Sequence, residues 1–194
     1  MTMVETARGP IEGSALGRVL MHEHVFVISP EIQQNYPGDW GDEETRVADA
    51  AARLNELKAS GIDTIIDPTA IGLGRYVPRI AEVAARTELH IVVATGLYTF
   101  NELPHYYRNR RPSSDGTGVD AMTAHFVGDI VDGVAATSIP AGVTVKAGVI
   151  KCATDQPGLT PDVERTLRAC AQAHRDTGCP ITTHTHAGTQ RGLD

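Results

Sequence analysis

The sequence predicts an α/β fold of parallel βα units, and three observations carry that expectation. Short apolar runs alternate with stretches of helical period, the pattern of strands joined by crossover helices. Residues with catalytic chemistry fall near the carboxyl ends of those runs, where βα architectures build their sites. No internal repeat of solenoid length and no low-complexity segment interrupts the order.

The first strand is expected over Val19–Phe26. Asp42–Ser60 then keeps a helical period, with Val47, Ala50, Ala51, Leu54 and Leu57 on one stripe and Gly61 as its stop. I-D-T-I-I-D (Ile62–Asp67) is the second strand, ended by Pro68. Val77–Arg86 is helical, and H-I-V-V-A-T-G (His90–Gly96) is the third strand. Beyond a loop containing Pro and Arg, Val119–Ala136 is helical, with Met122, Phe126, Ile130 and Val134 along one side. Ala147–Cys152 is the fourth strand. Thr160 caps the next helix, with Pro161 in its first position and Asp162 and Glu164 in its first turn. Gly178 ends that helix, and Pro180–Thr185 is the fifth strand. Residues 1–194 read as a single domain. Five such strands make either an open doubly wound sheet or part of a (β/α)8 barrel, which takes ~250 residues.

Composition narrows the function. The chain has 194 residues, 41% of them hydrophobic, and a net charge of −7, with the acids spread along it. No basic run or aromatic-interleaved patch suggests nucleic acid. No apolar stretch approaches the ~20 residues of a membrane span, and M-T-M-V-E-T-A-R-G-P lacks the marks of a signal peptide. Cys152, Cys170 and Cys179 show no C-x-x-C spacing, which suits a reducing compartment. The expectation is a soluble cytoplasmic protein whose partner is a small molecule, with neither nucleic acid nor membrane.

The run V-L-M-H-E-H-V-F-V (Val19–Val27) holds two histidines and a glutamate in an apolar setting. Strand geometry puts His22 and His24 on one face and Glu23 on the other. Either the histidines are incidental on a half-exposed strand, or they converge on a metal ion. Lys151 near the end of strand four and His184 near the end of strand five bring nitrogen to the same layer, which favours the metal. Lys151 shares parity with Ala147 and Val149 and so points into the packed interior, where an ammonium tends to lose its proton. It is either paired with a buried acid or a neutral amine able to take up carbon dioxide, giving a carbamate that bridges two cations. His184 and His186 repeat the H-x-H spacing; His184, nearer the apolar run, is the favoured ligand. His90, His105, His125 and His174 read as structural or solvated. G-L-G-R (Gly72–Arg75) lacks the lysine of a phosphate loop and reads as a tight βα turn.

L-M-H-E-H-V-F, D-P-T-A-I-G-L-G-R, V-V-A-T-G-L-Y, K-A-G-V-I-K-C-A-T-D and I-T-T-H-T, in this order, resemble the phosphotriesterase family of the amidohydrolase superfamily. They are most similar to its phosphotriesterase-like lactonase branch. The resemblance implies a TIM (β/α)8 barrel, of which this chain would hold the first five β/α units. It also implies a binuclear centre of two divalent metal ions, zinc first, though cobalt, manganese or iron accept the same donors. By it, His22 and His24 bind the more buried metal, Lys151 is the carbamylated bridge, His184 binds the second metal, and Tyr98 lines the substrate pocket. The implied reaction is hydrolysis of a small-molecule ester, a lactone or an organophosphate triester, by a lactonase or aryldialkylphosphatase-type enzyme. The family is commonly homodimeric.

A further histidine from strand six and a general-base aspartate from strand eight have no counterpart in residues 1–194. T-Q-R-G-L-D stops where the helix after strand five would begin. The chain is therefore expected to be truncated and, taken alone, inactive and aggregation-prone. Two rivals stand beside this reading: an inactive or degenerate member of the family, and a five-stranded flavodoxin-like binding module.

Overall fold

The computed structural model describes residues 2–110, 118–135, 144–190 and 192. Ala136, expected to close the helix from Val119, lies outside them, as do Arg191, Leu193 and Asp194 of the tail. The chain opens with an antiparallel hairpin, β1 (Met3–Thr6) and β2 (Gly9–Glu12). There follow β3 (Val19–Leu20), α1 (Pro30–Asn35), α2 (Pro37–Trp40), α3 (Glu43–Ala59), β4 (Thr64–Asp67), α4 (Val77–Ala84) and β5 (His90–Gly96). The rest is α5 (His105–Arg108), α6 (Ala121–Val131), β6 (Val149–Thr154), α7 (Pro161–Thr177) and β7 (Ile181–Thr185).

Strands β3 to β7 form one parallel sheet in strict chain order. Parallel crossovers are right-handed, so an order that never reverses puts every connecting helix on the same face. A doubly wound sheet needs a reversal. The flavodoxin-like alternative is thereby excluded, and the sheet is that of a partial (β/α)8 barrel.

Strand parity sorts the side chains. Ile65, Ile91 and Val93 point outward, against Val47, Ala50 and Ala51 of α3 and Ile80 and Val83 of α4. Ile150 and Cys152 do the same against Met122 and Phe126 of α6 and Ala169, Cys170 and Ala173 of α7. Side chains as large as Phe126, fully buried here, each contribute about 1.5–3 kcal/mol. The inner face carries Val92, Ala94 and Val149, with Ile66, Val4 and Leu16 packed on them. The hairpin and the helical turn after it close the amino end: Ala7 N–H donates to Ile91 O at 2.7 Å, and Thr64 Oγ1 to Leu16 O at 2.6 Å.

Local signals set the helix ends. Asp42 accepts the Thr45 N–H at 2.8 Å to start α3. Thr160 accepts the Val163 N–H at 3.3 Å to start α7, and Gly178, at φ 72°, turns the chain away after it. Several element bounds depart from expectation. The first strand keeps its ladder only over Val19–Leu20, because β4 pairs with it only at Thr64 and Ile65. Helix α6 stops at Val131, because Gly133 enters a left-handed conformation at φ 94° and the Val134 N–H is taken by Val145 O. The fourth strand begins at Val149, two residues later than expected, and continues to Thr154. Among the described residues no helix is long and apolar enough to cross a membrane.

Candidate metal centre

The segment after β3 leaves the ladder but not its neighbour. Glu23 N–H donates to Ile66 O at 3.0 Å and Ile28 N–H to Leu73 O at 3.2 Å, which keeps the chain along β4 and then along the turn after it. The apolar end of the run is an anchor: Phe26 lies edge-on to Trp40 at 5.6 Å, with the Arg79 guanidinium 5.5 Å from its ring. Arg79, 4% exposed, is paired in turn with Glu43. Phe26 pinned outside leaves His22 and His24 together at the carboxyl end of the sheet, their ring centroids 5.2 Å apart.

Lys151 reaches the same place from β6. It is fully buried on the inner face, and its Nζ lies 3.3 Å from His22 Nε2. Gly96 on β5 makes the fit possible, since a Cβ there would fall 2.0 Å from Lys151 O. Burial pushes the Lys151 ammonium below its ordinary range. His24 is pushed down to about 4, first by burial and then by the positive fields of His22, Lys151 and His184. His22 is lowered by burial and by the same neighbours. Both imidazoles are therefore neutral at pH 7, the form that ligates a cation.

His24 has a partner that the strand pattern does not announce. Its Nδ1 lies 2.8 Å from Thr69 Oγ1, and Thr69 Oγ1 donates to Asp67 Oδ1. Asp67 is 2% exposed; burial raises its carboxyl to about 6 against the lowering by the Thr69 and Val25 donors and by Arg75. A carboxylate at the carboxyl end of a buried strand is the signal that could have marked this group.

His184 sits on β7 opposite Ala153. Its Nε2 is 3.4 Å from Asp155 Oδ2, and its ring meets Tyr98 at 5.4 Å. The Tyr98 hydroxyl donates to the same carboxylate oxygen at 2.9 Å, and burial followed by Asp155 pushes that phenol up to about 12. The Gln156 N–H, then the Tyr98 hydroxyl and the fields of His184 and His186, hold the Asp155 carboxyl below its usual range. The G-L-G-R turn supports Tyr98 from below. Tyr98 N–H donates to Ile71 O at 2.8 Å, and a Cβ on Gly72 would fall 2.2 Å from Tyr98 O. His186 leaves the strand, its Nδ1 3.0 Å from Thr189 Oγ1.

His22, His24 and Lys151 are thus brought together, and His184 is near enough to act on both imidazoles while its own contacts go to Asp155 and Tyr98. Among the described residues no group of three or more His, Cys, Asp or Glu is arranged to hold a metal ion. The remaining histidines bond away from this cluster: His90 to Arg8, His105 to Asn109, His125 to Tyr107 and His174 to the Cys179 carbonyl. All three cysteines are free and buried.

Known proteins align with nearly the whole of this chain. The family model described as "Phosphotriesterase family" matches residues 2–194. The "Phosphotriesterase homology protein" of Mycobacterium tuberculosis is 62% identical over 194 residues, covering 100% of this chain and 58% of that relative. The "Aryldialkylphosphatase" of Saccharolobus solfataricus is 37% identical over 188 residues, covering 95% of this chain and 54% of its own length. The solved structure of the phosphotriesterase from Mycobacterium tuberculosis superposes with a TM-score of 0.92 at 61% identity, over 100% of this chain and 58% of that one. The chain therefore spans a little over half the length of these relatives.

Proposed function

The chain belongs to the phosphotriesterase family, and from that membership we propose that the protein is a hydrolase with a binuclear divalent-metal centre that opens lactones and, more slowly, hydrolyses organophosphate triesters. One observation carries the reading: Lys151 is buried on the inner face of β6 with a histidine nitrogen 3.3 Å from its amine, beside imidazoles held neutral. That donor set suits two divalent cations, zinc first.

In this reading His22 and His24 offer nitrogen to the more buried cation, and His184 to the second. Burial weakens the Lys151 ammonium, and its free amine could add to carbon dioxide, forming a nitrogen–carbon bond and releasing a proton to solvent, to give a carbamate that would offer oxygen to the cations. Cations bound there would polarise the ester oxygen and acidify a water molecule. Tyr98 remains a neutral phenol at pH 7, so it lines the substrate pocket through its ring and a hydrogen bond. The family resemblance gives the general-base role to an aspartate of a later strand, and no residue among positions 1–194 takes it. The intact protein would act as a homodimer on a small-molecule ester.

The lactone preference follows from Tyr98 in V-V-A-T-G-L-Y, which is similar to the lactonase branch. The triester activity is supported by the Saccharolobus relative, whose name states it. Steady-state comparison of kcat/KM on the intact, zinc-loaded protein tests both, with lactones expected to exceed aryl dialkyl phosphates. The reverse order would make the protein a triesterase first. Bound metal with turnover of neither substrate would favour the inactive family member.

A further inference from the structure

The D-P-T turn at Asp67–Thr69 ends β4, and part of its hydrogen bonding is local. Asp67 Oδ1 accepts the Thr69 N–H at 3.0 Å, the ordinary way an aspartate closes a turn two residues on. That need does not explain the Thr69 hydroxyl, which donates to the same Oδ1 at 2.5 Å while lying 2.8 Å from His24 Nδ1. A hydroxyl has one hydrogen. Once it is given to Asp67, the oxygen can only accept from His24, so the imidazole must carry its hydrogen on Nδ1 and keep a bare lone pair on Nε2. Asp67 Oδ1 itself is 3.9 Å from Nδ1, too far to bond it directly, so the hydroxyl is the necessary link. Asp67 and Thr69 are 2% and 7% exposed, which shields the chain of bonds from competing water.

We propose that Thr69 and Asp67 are positioning residues that hold His24 in its Nδ1–H tautomer and thereby present Nε2 to a divalent cation. The presentation half of this rests on the metal reading of His24; the tautomer half does not.

The test uses the intact protein with Thr69→Val, which keeps the shape and removes the hydroxyl, and Thr69→Ser, which keeps the hydroxyl. Asp67→Asn is the third variant, and circular dichroism checks that each remains folded. Two-bond proton–nitrogen correlation spectra of histidine-labelled, chelator-treated protein read the tautomer of His24. Wild type and Thr69→Ser should show Nδ1–H alone, and Thr69→Val a mixture. Zinc affinity by chelator competition should fall about 10–100-fold in Thr69→Val and Asp67→Asn and recover in Thr69→Ser. A Thr69→Val protein with an unchanged tautomer and wild-type zinc affinity would overturn the proposal. Wild type that shows Nδ1–H but binds no zinc would overturn the metal reading and leave the tautomer assignment standing.

Discussion

Strand β6 is buried at every position from Val149 to Thr154, whereas β7 alternates between exposed and half-buried positions from Ile181 to Thr185. The two strands run side by side in register, with Lys151 opposite Thr182 and Ala153 opposite His184. Their surroundings make the difference. Strand β6 has β5 on its other flank and α6 and α7 behind it, while β7 pairs, among the described residues, with β6 alone. Lys151 therefore feels desolvation as the leading influence on its charge, and His184 keeps a side chain 37% exposed against Asp155. Enclosure decides the chemistry of the lysine; the histidine's side of the centre is open, and a strand edge of this kind is where another strand can pair.

The largest effect expected from this contrast is at Lys151. In the intact protein, Lys151→Ala should lower metal content and hydrolysis by more than the ~10–100-fold that loss of an outer partner costs. Short carboxylic acids should restore part of both by standing in for the carbamate. His184→Ala should remove one cation and spare the other, as metal analysis would show. Absence of rescue in the Lys151 variant would leave that lysine an ordinary structural residue.

Core packing behind the two strands gives the next effect. Phe126→Ala, behind β6, should cost about 3–5 kcal/mol in urea unfolding. Ile181→Thr, on a side chain 39% exposed, should stay within ~0.5 kcal/mol. Equal costs would break the contrast between enclosed and open strands.

The smallest effect is in pH dependence, where two titrating groups oppose each other. In the metal-free protein His24 titrates at about 4 against an ordinary 6.5. The unfolded chain takes that proton first as pH falls through this window, so stability is lost on acidification. Asp67 titrates at about 6 against an ordinary 3.8. There the folded state takes the proton first, so stability is gained as pH falls from about 6 toward 3.8. Urea midpoints should thus change little across the overlap in wild type, and His24→Gln should become more stable than wild type toward acid. The same pH profile in both proteins would contradict the depressed His24.

The sequence was most legible where a segment is enclosed on both flanks. His90–Gly96 forms β5 at the expected bounds because a central strand reads as a continuous apolar run. Both ends of α7 were legible because Thr160, Pro161 and Gly178 act locally. Val19–Phe26 misled because apolar content does not report pairing: Phe26 is half-buried against Arg79 and Trp40, not in a strand ladder. The hairpin β1–β2 and the early stop of α6 depend on contacts made far along the chain, at Ile91 and Val145, which no local period records. The same holds at the site. Parity and strand ends pointed to His22, His24, Lys151 and His184, and the structure gathers the first three. Thr69 was missed because the bond that matters joins it to His24 across 45 positions. Asp155 was missed because its role is defined only by Tyr98 and His184 meeting over it.

The proposed centre requires that buried Lys151 carry a carbamate shared by two cations. A crystal structure of the intact zinc-loaded protein, with data recorded at the zinc absorption edge, tests it most directly. Two anomalous peaks are expected in the layer of His22, His24, Lys151 and His184, with density for a carboxyl group continuing from Lys151 Nζ between them. Density ending at a bare Nζ, with no peak within coordination distance of His22 and His24, would contradict it.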